Sequence, residues 1–173
     1  TPSTATIVRV RRHTEQSPAR AEPPEVSPAV VVAAALVRAG RVLAQQRAYP
    51  PQLAGRWELP GGRVEPDESA RDALIRECRE ELAVEVVPGE QLGPEVPLPG
   101  GYVLRVHVAR LAQPMATPVP VEHEALRWVE VSELATLDWL DADRAILPDL
   151  EVLLRADRSG AAGGAGAPKK PSE

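Results

Sequence analysis

Ser69-Ala70-Arg71-Asp72-Ala73-Leu74-Ile75-Arg76-Glu77-Cys78-Arg79-Glu80-Glu81-Leu82 is the stretch on which the fold turns. Its apolar residues recur at helical spacing. Asp67 or Ser69 can cap the start, and Glu68 suits the positive N-terminal end of a helix. Wound at about 100° per residue from Leu74, the apolar face holds Ala70 at about −40°, Cys78 at about +40° and Leu82 at about +80°. Glu81 falls at about −20° and Glu77 at about −60°, inside that arc, with Glu80 at about −120° on its edge. Arg71, Asp72, Arg76 and Arg79 fill the outer face.

Two readings of this face stand. One is a solvated Glu-rich surface laced by pairs to Arg. The other starts from the cost of burying unpaired carboxylates that repel one another. Glu77, Glu80 and Glu81 are spaced i, i+3, i+4, so their side chains meet on one surface. A hard divalent cation with oxygen ligands offsets both penalties, and Mg2+ suits best because it also bridges carboxylates to phosphates.

The flanks supply a sheet. Ala29–Arg38 is apolar and Val-rich, and the Ala39-Gly40 turn joins it to Val42–Arg47 as a hairpin. Residues 49–62 read as a loop ending in Pro60-Gly61-Gly62. Val84–Val87 begins another strand, and 88–100, with four Pro and three Gly, reads as a loop. Tyr102, Leu104, Val106 and Val108 alternate through a further strand, and Leu126–Val131 forms one more. Ser132 caps a short helical turn, and a final helix covers Asp143–Ala156 with Pro148 inside its first turns. Strands, helix, strands, helix predict an α/β fold with a mixed sheet covered by helices.

Gly62, five residues, Glu68, seven residues, then Arg76-Glu77-Cys78-Arg79-Glu80-Glu81-Leu82-Ala83-Val84 resembles the Nudix box. Six of its seven fixed positions match, and the seventh, a Gly, is Ala83. The run GRWELPGG at 55–62 is similar to the loop before the box in MutT-like members. Glu122-His123-Glu124-Ala125-Leu126-Arg127-Trp128 resembles their downstream loop and strand, and 140–147 the start of their last helix. The likeness covers residues 29–156. It implies an α/β/α sandwich around a mixed β-sheet, and hydrolysis of a nucleoside diphosphate linked to another group.

The resemblance also implies roles. Glu77, Glu80 and Glu81 would hold Mg2+, with Mn2+ as a substitute, helped by a backbone carbonyl of Gly61 or Gly62. Glu122 stands where MutT-like enzymes place a further carboxylate that binds metal or acts as base, with Glu124 the alternative. Arg76 and Glu68 read as orienting residues. Arg47 binds phosphate or is a strand-end surface residue. Asp143 resembles the position that reads the base edge, or it simply caps the last helix. Leu59, Tyr49 and Trp139 are candidate walls for the base.

The likeness points to hydrolysis of a (deoxy)nucleoside triphosphate to monophosphate and pyrophosphate, on a cytidine-type or oxidised nucleotide. An ADP-ribose or dinucleoside polyphosphate hydrolase is an alternative, with Pro99 and Tyr102 as its pointers. A non-catalytic nucleotide-binding module is another, and the full set of box carboxylates speaks against it.

Composition narrows the rest. The 173 residues, 43% hydrophobic and 26% charged, suit one globular domain with tails. Residues 29–156 carry 13 basic and 20 acidic side chains, a poor surface for nucleic acid. A Pro-rich arm at 1–28 and a Gly/Ala tail at 157–173 read as disordered. The single cysteine, Cys78, allows no intramolecular disulfide. The nine-residue apolar run Ala29–Val37 is too short to span a bilayer, and no signal-like segment leads it, so a cytoplasmic monomer or homodimer without membrane partner is expected. No P-loop or nucleophile elbow is present. His13, His107 and His123 lack zinc-ligand spacing and read as structural or exposed.

Overall fold

The structure, a computed structural model, describes residues 28–163. In chain order the elements are β1 Ala29–Arg38, β2 Arg41–Gln46, β3 Trp57–Glu58, β4 Gly61–Arg63, α1 Ala70–Leu82, β5 Val86–Gln91, β6 Val96–Leu98, β7 Tyr102–Leu111, β8 Ala125–Glu130, α2 Asp141–Arg144 and α3 Leu147–Gly163. Short 3-10 turns lie at Pro99–Gly101 and Val131–Thr136. The β1–β2 connection places Ala39 and Gly40 at φ 51° and 70°, the mirror-image turn whose twist matches a hairpin.

The sheet is mixed, as the pattern of elements predicts. β1 runs parallel to β7, from Ala29 opposite Tyr102 to Leu36 opposite Ala109. The other pairings are antiparallel: β1 with β2 and β4, β2 with β3 and β8, β7 with β5 and β6. Strand β1 is covered on both faces, which explains its unbroken apolar run. Val32, Ala34 and Leu36 pack with Ala73, Leu74, Cys78 and Leu82 of α1. Ala33, Ala35 and Val37 pack on the other side with Trp139, Ile146, Leu150 and Leu154. This is the α/β/α sandwich.

Helix α1 is capped by Ser69, whose Oγ accepts from the Asp72 N–H at 3.1 Å. Ala83 ends it in the left-handed region, φ 55° and ψ 35°, with its N–H donating to the Arg79 carbonyl. A non-Gly residue there costs about 1–2 kcal/mol.

Three elements depart from expectation. The 49–62 loop contains β3 and β4, whose two and three residues are too short for a periodicity to reveal. The Pro-rich 88–100 segment is partly strand: β5 runs to Gln91 with an irregularity between Pro88 and Gln91, and β6 adds Val96–Leu98. Proline is tolerated there because both strands flank β7 at the sheet margin. The last helix is two helices. Pro148 is the second residue of α3, where a missing N–H costs nothing, and Asp143 lies within α2. Helix α3 also continues to Gly163, past the expected end at Ala156. Asp157 ties that extension down, accepting from the Gly40 N–H at 2.7 Å and from Arg110 at 2.6 Å. Of the disorder expected over 1–28 and 157–173, the part at 157–163 is corrected by α3, and 1–27 and 164–173 lie outside the described residues. Among the described residues, no helix is long and apolar enough to cross a membrane.

Candidate active site

The site is built around β4 and the inner face of α1. A Cβ on Gly61 would lie 2.0 Å from the Val32 carbonyl oxygen, so only glycine lets β4 approach β1 this closely. A Cβ on Gly62 would lie 2.2 Å from Glu77 Oε1. The Glu77 carboxylate therefore rests against bare backbone.

Arg76 organises the carboxylates around it. Its Nε and Nη2 each donate to a Glu68 oxygen at 2.9 Å, its Nη1 to Glu77 Oε1 at 2.8 Å, and its Nη2 to the Arg63 carbonyl at 3.0 Å. Glu80 stands further off, 3.4 Å from Nη1, with its side chain 54% exposed. The bond to Glu68 above all holds the Arg76 guanidinium well above its ordinary pKa, and in return holds the Glu68 carboxyl below the usual carboxylate range.

Glu81 is different: it is buried, 8% exposed. Its Oε2 accepts from Gln45 Nε2 at 2.9 Å and from the Gly61 N–H at 3.0 Å. Burial pushes its carboxyl up to about 7, against the pull of the Gln45 amide, His123 and the Gly61 N–H.

Glu122 and Glu124 are exposed on the segment leading into β8, where the Glu124 N–H donates to the Gln46 carbonyl. Among the described residues, no three His, Cys, Asp or Glu side chains converge into a closed metal cage. The expected ligand set of Glu77, Glu80, Glu81 and Glu122 is therefore not drawn to one point. The donor set still fits a hard divalent cation. It offers carboxylate oxygens beside a backbone stripped of Cβ atoms, and Mg2+ keeps several waters rather than needing a full protein cage.

A second buried carboxyl lies along the same short segment. Asp143 is 5% exposed and accepts from the Leu59 N–H at 2.9 Å. Burial pushes it up to about 7; the Leu59 N–H opposes this and the Glu58 carboxylate adds to it. The helix-capping alternative fails, because the N-cap of α2 is Leu140 and Asp143 bonds across to β3–β4 instead. Leu59 is corrected in kind: its side chain is 3% exposed in the core, and what it brings to Asp143 is its backbone N–H. Trp139 is fully buried, its indole N–H bonded to the Leu134 carbonyl, so it is core and not a base wall. Tyr49 is 76% exposed beside Arg47, whose Nε bonds its carbonyl. Tyr102, a pointer to the ADP-ribose alternative, has its ring under the Arg63 guanidinium at 4.9 Å.

Between the two carboxyls lie Arg47, a candidate from the sequence, and Glu58 and His123, whose part in the site sequence reasoning missed. Arg47 Nη1 donates to both oxygens of Glu58 at 2.8 Å, so the expected phosphate binder is already half engaged. His123 Nε2 lies 2.9 Å from Glu58 Oε1, and its Nδ1 lies 4.0 Å from Glu81 Oε1. His123 is thus neither a surface residue nor remote from the site. Gln45 is fully buried near the end of β2, where a polar side chain needs a partner, but with Gln46 and Arg47 following it the local sequence carries no sign of that burial.

The NUDIX domain family model matches residues 27–150. The chain is 45% identical over 124 residues to the Mycobacterium tuberculosis protein named "Putative 8-oxo-dGTP diphosphatase 2", covering 70% of this chain and 86% of that one. It is 38% identical over 128 residues to the CTP pyrophosphohydrolase of Escherichia coli, covering 74% and 94%. The solution structure of the E. coli ORF135 protein superposes with a TM-score of 0.60 at 36% identity, over 80% of this chain and 94% of that one. The carboxylate helix, the glycine strand beside it and the sandwich that holds them together are those of a MutT-like hydrolase, and the chain belongs to the NUDIX family.

Proposed function

We propose that the protein hydrolyses (deoxy)nucleoside triphosphates to monophosphate and pyrophosphate, with Mg2+ as the cation and Mn2+ as a substitute. The observation that carries this reading is the pair of buried carboxyls served by one segment: Glu81 on the Gly61 N–H and Asp143 on the Leu59 N–H. One marks a phosphate end beside Glu77 and Glu80, the other a base end. Glu77, Glu80 and Glu81 would hold the cation, with a carbonyl of Gly61 or Gly62 and with Glu122 or Glu124 from the segment before β8. A divalent cation supplies charge neutralisation for the phosphate oxygens and Lewis acidity toward water. Arg76 keeps Glu77 turned toward the glycine strand, and Glu68 keeps Arg76 in place. Arg47, whose Nη1 and Nε are taken by Glu58 and the Tyr49 carbonyl, would offer its Nη2 to the phosphates.

Asp143 is the specificity group. A carboxylate accepts from an exocyclic amine such as cytosine N4. The substrates in the names of the two relatives, CTP and 8-oxo-dGTP, both carry such an amine. Because burial pushes its carboxyl up to about 7, Asp143 when protonated can also donate to an altered purine. Such an enzyme clears the cytoplasmic nucleotide pool. The test is a nucleotide screen with Mg2+ that follows pyrophosphate and phosphate separately. Pyrophosphate release from CTP, dCTP or 8-oxo-dGTP, abolished by chelation, is the expected result. Turnover of ADP-ribose or dinucleoside polyphosphates alone, or full activity in chelator, would refute the reading.

A further inference from the structure

Gln45 has no polar partner for its Oε1 although the side chain is completely buried, and His123 Nδ1 is likewise buried without one among the described residues. Such groups are costly to keep in an interior unless they serve a neighbour. Both have the same neighbour. Gln45 Nε2 donates to Glu81 Oε2 at 2.9 Å, while His123 Nδ1 stands 4.0 Å from Glu81 Oε1. The Glu81 carboxylate is therefore bracketed, one oxygen by β2 and the other by the segment before β8.

His123 is itself fixed. Its side chain is 9% exposed, and its Nε2 meets Glu58 Oε1 at 2.9 Å. Glu58 is held in turn by Arg47 on its two oxygens. The segment that carries His123 is anchored by backbone bonds from Val121 N–H to the Glu81 carbonyl and from Glu124 N–H to the Gln46 carbonyl. Glu81 is thus held on one side by the Gln45 and Gly61 hydrogen bonds and faced on the other by the fixed His123 ring.

We propose that Gln45 and His123 are positioning residues for Glu81, and that Glu58 acts on Glu81 through His123. The inference rests on the reading of Glu81 as a cation-holding carboxylate. Outer partners that orient a ligating side chain change metal affinity or activity by about 10–100-fold when removed.

The experiment is calorimetric titration of Mn2+ into nucleotide-free protein, paired with kcat and KM for dCTP and a melting curve. Gln45→Met keeps the volume and loses the donor. It should weaken Mn2+ binding and lower kcat by about 10-fold or more, with KM for dCTP within about twofold. His123→Phe should act in the same direction, and His123→Gln, whose amide can still donate to Glu58, should recover most of the loss. Glu58→Gln should add nothing to the loss of Mn2+ affinity caused by His123→Phe, because Glu58 acts on Glu81 through that ring, whereas its contacts to Arg47 leave its effect on dCTP turnover separate. If Gln45→Met fails to fold, the His123→Phe and His123→Gln pair carries the test. Mn2+ binding and kcat within about twofold of wild type in the folded variants would overturn the proposal, even if their melting temperatures fell. Wild-type protein that cleaves no nucleoside triphosphate would defeat the functional reading instead, and the Mn2+ titration would still decide this one.

Discussion

Glu81 and Asp143 are two interior carboxyls, 8% and 5% exposed, that take backbone N–H groups two residues apart on one segment. Burial pushes both up to about 7. Their settings differ. Glu81 projects from the thirteen-residue α1 among other carboxylates and is braced by Gln45 and His123. Asp143 sits in the four-residue α2, with the Glu58–Arg47 pair as its charged neighbours. The contrast teaches that one physical device, a desolvated carboxyl on a backbone donor, serves different ends according to what surrounds it. Among carboxylates it suits a cation. Against a backbone edge, beside a neutral ion pair rather than a carboxylate cluster, it suits a hydrogen-bonding ligand.

The largest effect that sharpens this contrast is at the α1 end. Glu80→Gln and Glu81→Gln should each lower kcat by about 10²-fold or more for every nucleotide, as loss of a charge-stabilising group does. Circular dichroism should show an unaltered fold, since each change removes crowded charge. Near-normal turnover in either would make the carboxylates structural. At the other end, Asp143→Ala should cost about 5- to 150-fold in kcat/KM for substrates with the amine, and little for those without it. Steady-state kinetics on dCTP and dUTP decide between that and a uniform decline.

A third test uses pH. Both carboxyls titrate higher folded than unfolded, so the folded chain binds more protons between about pH 4 and about pH 7. Stability of metal-free protein should therefore fall as pH rises through that window. Glu68, Glu85, Glu133, Asp141 and Asp157 are shifted downward, and the stability they add is lost at lower pH, below about 4.5. Melting temperature in chelator should decline toward pH 7, and Asp143→Asn should flatten part of that decline. Parallel profiles for the two proteins would show that Asp143 is not the buried acid described. The smallest expected effect lies outside both ends. Ala83→Gly, at φ 55°, should stabilise by about 0.5–1 kcal/mol, raising the melting temperature by a few degrees without altering kinetics.

The two ends were unequally legible in the sequence. Glu81 announces itself, because a carboxylate inside the apolar arc of a helix breaks the amphipathic pattern. Asp143 does not, since a helix start is ordinary ground for Asp and its partner, the Leu59 N–H, is 84 residues away. The brace around Glu81 was opaque for the same reason. Gln45 and His123 are 36 and 42 residues from Glu81 along the chain, and no local period relates them. Long elements with one clear period, β1, α1 and β7, were readable. β3, β4 and β6 were not, because two or three residues carry no period and their pairing depends on longer strands. Trp139 was a candidate wall for the base, yet its indole closes the core, a packing that its local sequence does not reveal.

A single competition experiment tests the division of labour between the two carboxyls. Equal dCTP and dUTP are offered together with Mg2+, and the initial dCMP to dUMP ratio is measured for wild type, Glu81→Gln and Asp143→Asn. That ratio equals the ratio of the two kcat/KM values and is blind to the fraction of active enzyme. Glu81→Gln should slow both products and leave the ratio at its wild-type value. Asp143→Asn should draw the ratio toward one. A ratio altered by Glu81→Gln, or untouched by Asp143→Asn, would contradict the assignment of turnover to one end and selectivity to the other.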